Sequence, residues 1–360
     1  MKRLLSNSLV GAMLLAALPA MVSANDLAPQ ALLEAGHYKR LGALAEQRLK
    51  SNANDAAALY YLAYIKFQAN DSDGALPLAE KCAAADPKNA DCRYLIASIY
   101  GKKAQDASIF SQMGLARRFK KEAEATLAIN PQHLDALLGL MEFHLRAPGI
   151  AGGDKKKADE YLNTMMRADA ARGYLAQARK AAIEKQRQLM EGFYLKAVQA
   201  NPKSYLALMT ISSFYSFDDQ KKYDLSEKYA KEALKVDADR IGAYSRLANL
   251  YAFQARWQEL DEIIAAAEKA VPDNLTPYFT SARVLAGSGK DNARAERYLQ
   301  KYLSVQPEPN GPSHALARWQ LGLVYEKMGR KPEAIQQIQT ALRLNPELED
   351  AKKDLKRIRG

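Results

Sequence analysis

The segment that decides the fold lies near the C-terminus and reads ALARWQLGLVYEKMGRKPEAIQQIQTALRLNP, residues 315–346. Apolar residues recur in it at helical spacing on both sides of Gly329, and Pro346 closes it. Gly322 lies where two helices of such a pair would cross, and a small residue there lets the backbones approach closely. Proline after the second helix prevents its continuation. The segment therefore predicts two short helices joined by a tight turn.

The same pattern recurs along the chain at an average spacing of 37 residues. Its closing positions are Pro87, Pro131, Ala170, Pro202, Ala238, Pro272, Pro307 and Pro346. The helix-crossing position is small in seven of eight units: Ala63, Ala97, Ala178, Ser212, Ala248, Ala282 and Gly322, with Met141 as the exception. Tyrosine follows three residues later in four units, as Tyr100, Tyr215, Tyr251 and Tyr325. A repeat of helix pairs without valine-rich or threonine-rich alternation predicts an all-helical solenoid.

These residues resemble the tetratricopeptide repeat, in which a leucine-glycine pair, a tyrosine, a glycine turn, two alanines and a proline recur at fixed positions. The resemblance implies a right-handed, all-α solenoid over residues 56–348, between an N-terminal partial repeat at 25–55 and a C-terminal capping helix at 349–360. The expected units are 56–89, 90–133, 134–170, 171–204, 205–240, 241–274, 275–309 and 315–348.

Two units carry extra residues between their helices, at 102–113 and at 147–155, and such insertions are expected at turns on one edge of an array. The second insertion contains Pro148, Gly149, Gly152, Gly153 and Asp154, followed by three lysines. Two interpretations stay open. Asp154 can cap the next helix, or the backbone amides and lysines of 148–157 can hold an anion or a partner.

This loop also resembles a proline and glycine-glycine-aspartate insertion in tetratricopeptide repeat proteins of bacterial envelopes, including those associated with TRAP transporters. That likeness implies an alternative role for the chain as a transport-associated or ligand-binding protein that uses the Pro148–Lys157 loop.

The family resemblance also implies which side chains line the concave groove. Carried over position by position, they include Tyr60, Tyr64, Phe67, Tyr94, Glu142, Arg172, Arg179, Asn249, Phe279, Arg283 and Trp319. Aromatic and arginine side chains dominate recognition surfaces. Alternatively, Tyr60, Tyr64 and Phe67 pack against the N-terminal partial repeat. Some tetratricopeptide repeat domains bind the terminal carboxylate of a chaperone peptide through lysine and asparagine at repeated groove positions. Only Asn249 fits that pattern here, so a chaperone-binding role of this kind is not expected.

The N-terminus predicts export. Lys2 and Arg3 precede an apolar run from Leu9 to Leu18, and small residues lead to a cleavage point after Ala24. Removal of residues 1–24 as a Sec-type signal peptide leaves 50 basic and 41 acidic residues, a net charge of +9. The expected location is the periplasm, and the apolar run is too short to stay as a transmembrane span. The alternative is an uncleaved amphipathic start.

Cys82 and Cys92, the two cysteines of the chain, flank a turn-like segment and would form a disulfide in an oxidising compartment. The alternatives are two separate buried side chains or, less in keeping with the spacing, a redox pair.

Catalytic motifs are missing from the sequence. The four histidines are scattered and form no metal-binding motif, and the sequence points to no cofactor. Basic clusters suit anionic surfaces or acidic proteins, and export argues against nucleic acid. The sequence thus predicts a non-enzymatic scaffold that binds a protein or peptide partner in the bacterial envelope.

Overall fold

A computed structural model describes residues 28–216 and 220–360, so the expected signal peptide at 1–24 lies outside the described residues. In this part of the chain there are nineteen α-helices and no strand. The all-α prediction is therefore confirmed. No helix of the described part combines the length and the apolar character that crossing a bilayer requires.

The helices are α1 (Pro29–Ala35), α2 (Tyr38–Ser51), α3 (Ala56–Gln68), α4 (Ser72–Ala85), α5 (Ala90–Asp106), α6 (Ile109–Ile129), α7 (Leu134–Arg146), α8 (Lys155–Ala168), α9 (Ala170–Ile183), α10 (Met190–Ala200), α11 (Tyr205–Ser216), α12 (Tyr223–Val236), α13 (Ile241–Gln254), α14 (Trp257–Ala270), α15 (Thr276–Ser288), α16 (Asn292–Leu303), α17 (His314–Lys327), α18 (Lys331–Leu344) and α19 (Glu349–Arg359). Two short 3-10 turns lie at Gly149–Ala151 and Arg187–Leu189.

The helices pack in sequence as antiparallel pairs, and from α3 and α4 onward each pair corresponds to one expected unit, although α9 and α17 each begin one residue before theirs. Most first helices of neighbouring units also touch one another, so they form an inner layer, and the second helices form an outer layer. The single-file arrangement means that each pair buries its apolar face mainly against its neighbours.

Close contact at the helix crossing is the feature that all units share. The seven small residues at that position are buried, and Met141, the exception, is buried in the same cluster as Ala158 of the facing helix. At Gly322 a Cβ atom would lie 2.5 Å from Cγ1 of Ile338 and 3.0 Å from the carbonyl oxygen of Ala334. Even a methyl group at Gly322 would therefore push α17 away from α18.

In three units, a lysine or arginine just before the second helix connects that unit to the preceding one. The Arg256 guanidinium carbon lies 4.5 Å from the centre of the Tyr251 ring, and Arg256 also pairs with Glu227 of the preceding unit. Burial favours the neutral form of Glu227, but hydrogen bonds from two cations and the Tyr251 hydroxyl outweigh it and lower the pKa of Glu227 to about 2. Two other units repeat this arrangement, with Lys222, Tyr215 and Glu191, and with Arg330, Tyr325 and Glu296.

The first insertion does not form the expected loop. Residues 102–113 instead lengthen α5 to Asp106 and start α6 at Ile109, leaving Ala107 and Ser108 as the connection. Lys102 and Asp106 pair one helical turn apart, and residues 102–106 contain no glycine or proline, so nothing in them stops the helix.

The fourth unit turns without glycine or proline. Lys185 adopts a left-handed backbone conformation with φ of 61°, and the 3-10 turn Arg187–Leu189 leads into α10. Lysine pays a steric cost there that glycine would avoid. The repeat geometry thus persists where its sequence signal is weakest.

The array curls far enough to meet itself. Arg40 pairs with Asp273, with 2.8 Å between Nε and Oδ2, and the backbone amide of Lys39 donates to Glu308 at 2.9 Å. Glu34 lies 3.6 Å from Arg240. We call this contact between residues 34–40 and the turns at 237–240, 271–275 and 304–308 the seam. Nothing in the repeat pattern indicated it.

The cysteines lie at the end of α4 and the start of α5. Both are fully buried, and their Cα atoms are 5.7 Å apart, a separation that a disulfide spans. The geometry is compatible with the expected bridge, and the pairing itself stays a prediction.

Replacing Gly322 with alanine should lower the free energy of unfolding by about 1–3 kcal/mol, because the added methyl group overpacks the helix crossing. Gly287, in the first helix of the preceding unit, is the matched control: an added Cβ meets no atom within 4 Å. Gly287→Ala should leave stability unchanged or raise it by up to about 1 kcal/mol. Urea unfolding of both variants measures the difference, and equal effects would contradict the crossing constraint.

Candidate partner-binding site

A large concavity lies on the inner layer of the first four units. It has a volume of about 980 Å³ and is lined from α3, α5, α6, α7, α9 and the turn after α7. Four side chains assigned to the groove from sequence line it, namely Phe67, Tyr94, Glu142 and Arg179, together with Pro148 of the insertion. We call this concavity the aromatic pocket. The structure thus brings these four groove side chains and Pro148 of the second insertion together around one concavity.

The floor of the aromatic pocket is built on glycine. The rings of Phe119 and Phe143 have their centres 6.2 Å apart. A Cβ atom on Gly139 would lie 2.9 Å from Phe119 and 3.0 Å from the Tyr94 hydroxyl, so a larger residue there would have to displace the ends of these two side chains. Sequence reasoning missed Phe119 because it belongs to a second helix, which in a regular unit faces outward, whereas here its ring lines the aromatic pocket.

An ion pair marks the rim. Arg179 binds Glu142 through two hydrogen bonds of 2.8 and 3.2 Å, and these bonds raise the pKa of Arg179. The Arg179 side chain is 53% exposed, and an exposed pair of this kind contributes little to stability. The pair can therefore exchange its partners for charged groups of a bound molecule at small cost.

Exposed apolar side chains surround the opening. Ile150, in the 3-10 turn, is 91% exposed, and Met113 is 43% exposed; both line the aromatic pocket. Phe110, at the start of α6, is 93% exposed. Apolar side chains that cluster on a surface in this way are typical of an interaction site. Phe110 and Met113 lie in the first insertion, which sequence reasoning had treated only as an irregularity.

The second insertion is a compact turn that shapes one wall. Gly152 has a left-handed φ of 94°, and a Cβ atom on Gly153 would overlap the carbonyl oxygen of Ala147. Asp154 accepts hydrogen bonds from the amides of Lys156 and Lys157 at 2.9 and 3.3 Å. Asp154 thus caps α8 and occupies amides that an anion would need, as the capping interpretation expects.

Tyr60 and Tyr64 lie beside the aromatic pocket but are half-buried. The Tyr64 ring lies 6.0 Å from the rings of Tyr38 and Tyr60 and packs in the cluster of Leu32 and Leu41. Burial raises the pKa of both Tyr60 and Tyr64. Tyr64 therefore supports the N-terminal helix pair, which is the alternative that the sequence left open.

Other assigned groove residues do not share this site. Phe279 is 6% exposed and packs on Tyr302 in the core, so it does not face the groove. Trp319 donates from Nε1 to Asp354 at 3.0 Å and is covered by α19. Remaining positions are Arg172, paired with Asp135; Arg283, exposed; and Asn249, whose Oδ1 is buried.

Two histidines have structural roles. His133 caps α7 by accepting from the amide of Ala136 at 3.1 Å, and His314 lies 2.8 Å from the carbonyl oxygen of Val305.

The aromatic pocket itself offers apolar area, the hydroxyl groups of Tyr94 and Ser98 and an exchangeable ion pair. These groups are suited to binding a protein or peptide segment.

Residues 315–348 match the family model described as tetratricopeptide repeat. That segment is the pair α17 and α18, and the same helix pair recurs through the described chain. Residues 315–348 are therefore a tetratricopeptide repeat within an all-helical solenoid, and proteins with this repeat generally serve as scaffolds for protein–protein interaction.

Similar solved structures include yeast Tom70, with 15% identity, 92% of this chain and 79% of that chain covered, and a TM-score of 0.48. A tetratricopeptide repeat protein from Parabacteroides merdae has 18% identity, 73% and 99% coverage and a TM-score of 0.43. A thermophilic TPR protein from Thermus thermophilus has 20% identity, 57% and 95% coverage and a TM-score of 0.44. Among curated proteins none matches the sequence.

Two substitutions distinguish a side chain that stabilises the N-terminal helix pair from one that lies free at the surface of the aromatic pocket. Tyr64→Ala should destabilise the N-terminal helix pair by about 3 kcal/mol, because it removes a ring packed against two others. Ile150→Ser should change stability by less than about 0.5 kcal/mol, because the side chain is almost fully exposed. Hydrogen exchange of α1 and α2 and thermal unfolding measure both effects. An equal loss in the two variants would show that Ile150 belongs to the packing.

Proposed function

We propose that this protein is an exported, non-enzymatic scaffold and that the aromatic pocket binds a peptide segment of a protein partner in the bacterial envelope. The observation that carries the proposal is the meeting of four groove side chains with exposed Ile150 and Met113 around one concavity. The volume of about 980 Å³ suits several side chains of a peptide.

The lining indicates the chemistry of the bound segment. Phe119, Phe143 and Phe67 offer a surface for one or two large apolar side chains. Glu142 and Arg179 at the rim suit a charged residue next to that apolar anchor, since their exposed pair can open. The proposed ligand is therefore an apolar or aromatic residue flanked by a charged one, within a flexible segment of the partner.

Photocrosslinking in living cells tests this proposal. With benzoylphenylalanine at position 150, we expect discrete protein adducts that weaken strongly when Arg179→Ala is introduced in the same chain. The matched control places the probe at position 81, which is exposed on α4 in the outer layer. The same adducts at position 81, or no adduct at position 150 in a stably produced chain, would refute the site.

Export, and with it the Cys82–Cys92 bridge, has its own test. If the chain reaches an oxidising compartment, denatured protein taken from cells with its thiols trapped should contain no free thiol, and reduction should release two. A version lacking residues 1–24 should stay inside the cell with both thiols free. Two free thiols in the full-length chain would contradict the bridge, and retention of the full-length chain inside the cell would contradict export.

A further inference from the structure

The seam brings together three side chains from distant parts of the sequence. His37 precedes α2, Asp273 lies in the turn after α14, and Glu308 lies in the turn after α16. One nitrogen or oxygen atom from each lies within 4.8 Å of the other two. His37 is 1% exposed and Glu308 is 3% exposed, whereas the Asp273 side chain is 27% exposed, so the cluster meets solvent on the side of Asp273.

The atoms that face this cluster lack partners. Four atoms of the cluster are buried without a hydrogen bond, namely both ring nitrogens of His37, Oδ1 of Asp273 and Oε1 of Glu308; Nη1 of the neighbouring Arg40 is a fifth buried atom without one. A buried polar atom left unpaired costs about 1–3 kcal/mol. Four such atoms in one place indicate a ligand that satisfies several of them together.

The second oxygen of each carboxylate is already held. Asp273 accepts from Nε of Arg40 through Oδ2 at 2.8 Å, and Glu308 accepts from the backbone amide of Lys39 through Oε2 at 2.9 Å. Hydrogen bonds of this kind orient carboxylates in metal sites while leaving the other oxygen free to coordinate. The cluster has that organisation.

Charge around the seam favours a divalent cation. Five carboxylates and three side-chain cations lie at the seam, which leaves an excess of two negative charges. The carboxylates are Glu34, Asp237, Asp239, Asp273 and Glu308, and the cations are Lys39, Arg40 and Arg240. Arg40 lies close to the cluster, but Asp273 already pairs with it.

We propose that His37, Asp273 and Glu308 bind one first-row divalent cation, with Zn²⁺ as the best fit. One imidazole and two carboxylates are ligands that suit zinc, and water can complete a four-coordinate site. The ion would connect the N-terminal helix pair to the turns that close the units 241–274 and 275–309. Its role is to fasten the seam and so fix the curvature of the whole array.

Zinc titration of the oxidised, chelator-treated chain against a chromophoric chelator tests the site. We expect one Zn²⁺ per chain and a higher thermal unfolding midpoint with zinc, since a ligand that binds the folded state stabilises it. His37→Gln and Glu308→Gln should each weaken zinc binding by at least about tenfold. The matched control, Glu34→Gln, removes a seam carboxylate that is not a ligand and should change affinity by less than about threefold.

X-ray absorption of the zinc-loaded wild-type chain should show only nitrogen and oxygen ligands, including one imidazole. This spectrum decides the question even if one variant fails to fold, which circular dichroism would reveal. Absence of zinc binding by the wild-type chain, sulfur ligands, or unchanged affinity in folded His37→Gln and Glu308→Gln would overturn the proposal. An equal loss in Glu34→Gln would replace coordination with general electrostatic attraction and also overturn it.

Discussion

The close approach of two helix backbones at a buried small residue is the contact on which the structure depends. Alanine, serine or glycine at that position sets the distance within a pair, and the distance within each pair sets the angle at which the next pair stacks. Each pair contacts mainly the pairs before and after it. A change of the packing angle at one crossing therefore changes the curvature of the array, because there is no common core to absorb it. The seam, which joins residues more than 200 positions apart, exists only because these angles add correctly along the chain.

This dependence explains what the sequence could predict. Helix period, small crossing residues and closing prolines are local signals, and they located the helix pairs even in the unit 171–204, where Lys185 makes the turn without glycine. Local signals also indicated that Asp154 could cap α8. They misjudged residues 102–113, because an insertion without a helix breaker lengthens helices as readily as it forms a loop.

The candidate site was predictable only in part, for a physical reason. A repeat register states which way a side chain points but not what covers it. It placed Phe67, Tyr94, Glu142 and Arg179 on the inner wall. Phe279 and Trp319 have the same register, yet one is covered by Tyr302 and the other by α19. Phe119 lies on a second helix, where the register indicates no groove residue, and the three seam residues meet through the summed curvature of the array, which no single repeat encodes.

The seam and the aromatic pocket share the N-terminal helix pair, and this sharing has a mechanical consequence. Tyr38 follows His37 directly in the chain and packs edge-on against Tyr64. Tyr64 contacts Tyr60 on α3, the helix that also supplies Phe67 to the aromatic pocket. Close-packed side chains transmit a displacement rather than absorb it. One continuous path of packed rings, from Tyr38 beside the seam through Tyr64 to Tyr60, therefore joins the seam to the helix that forms part of the partner site.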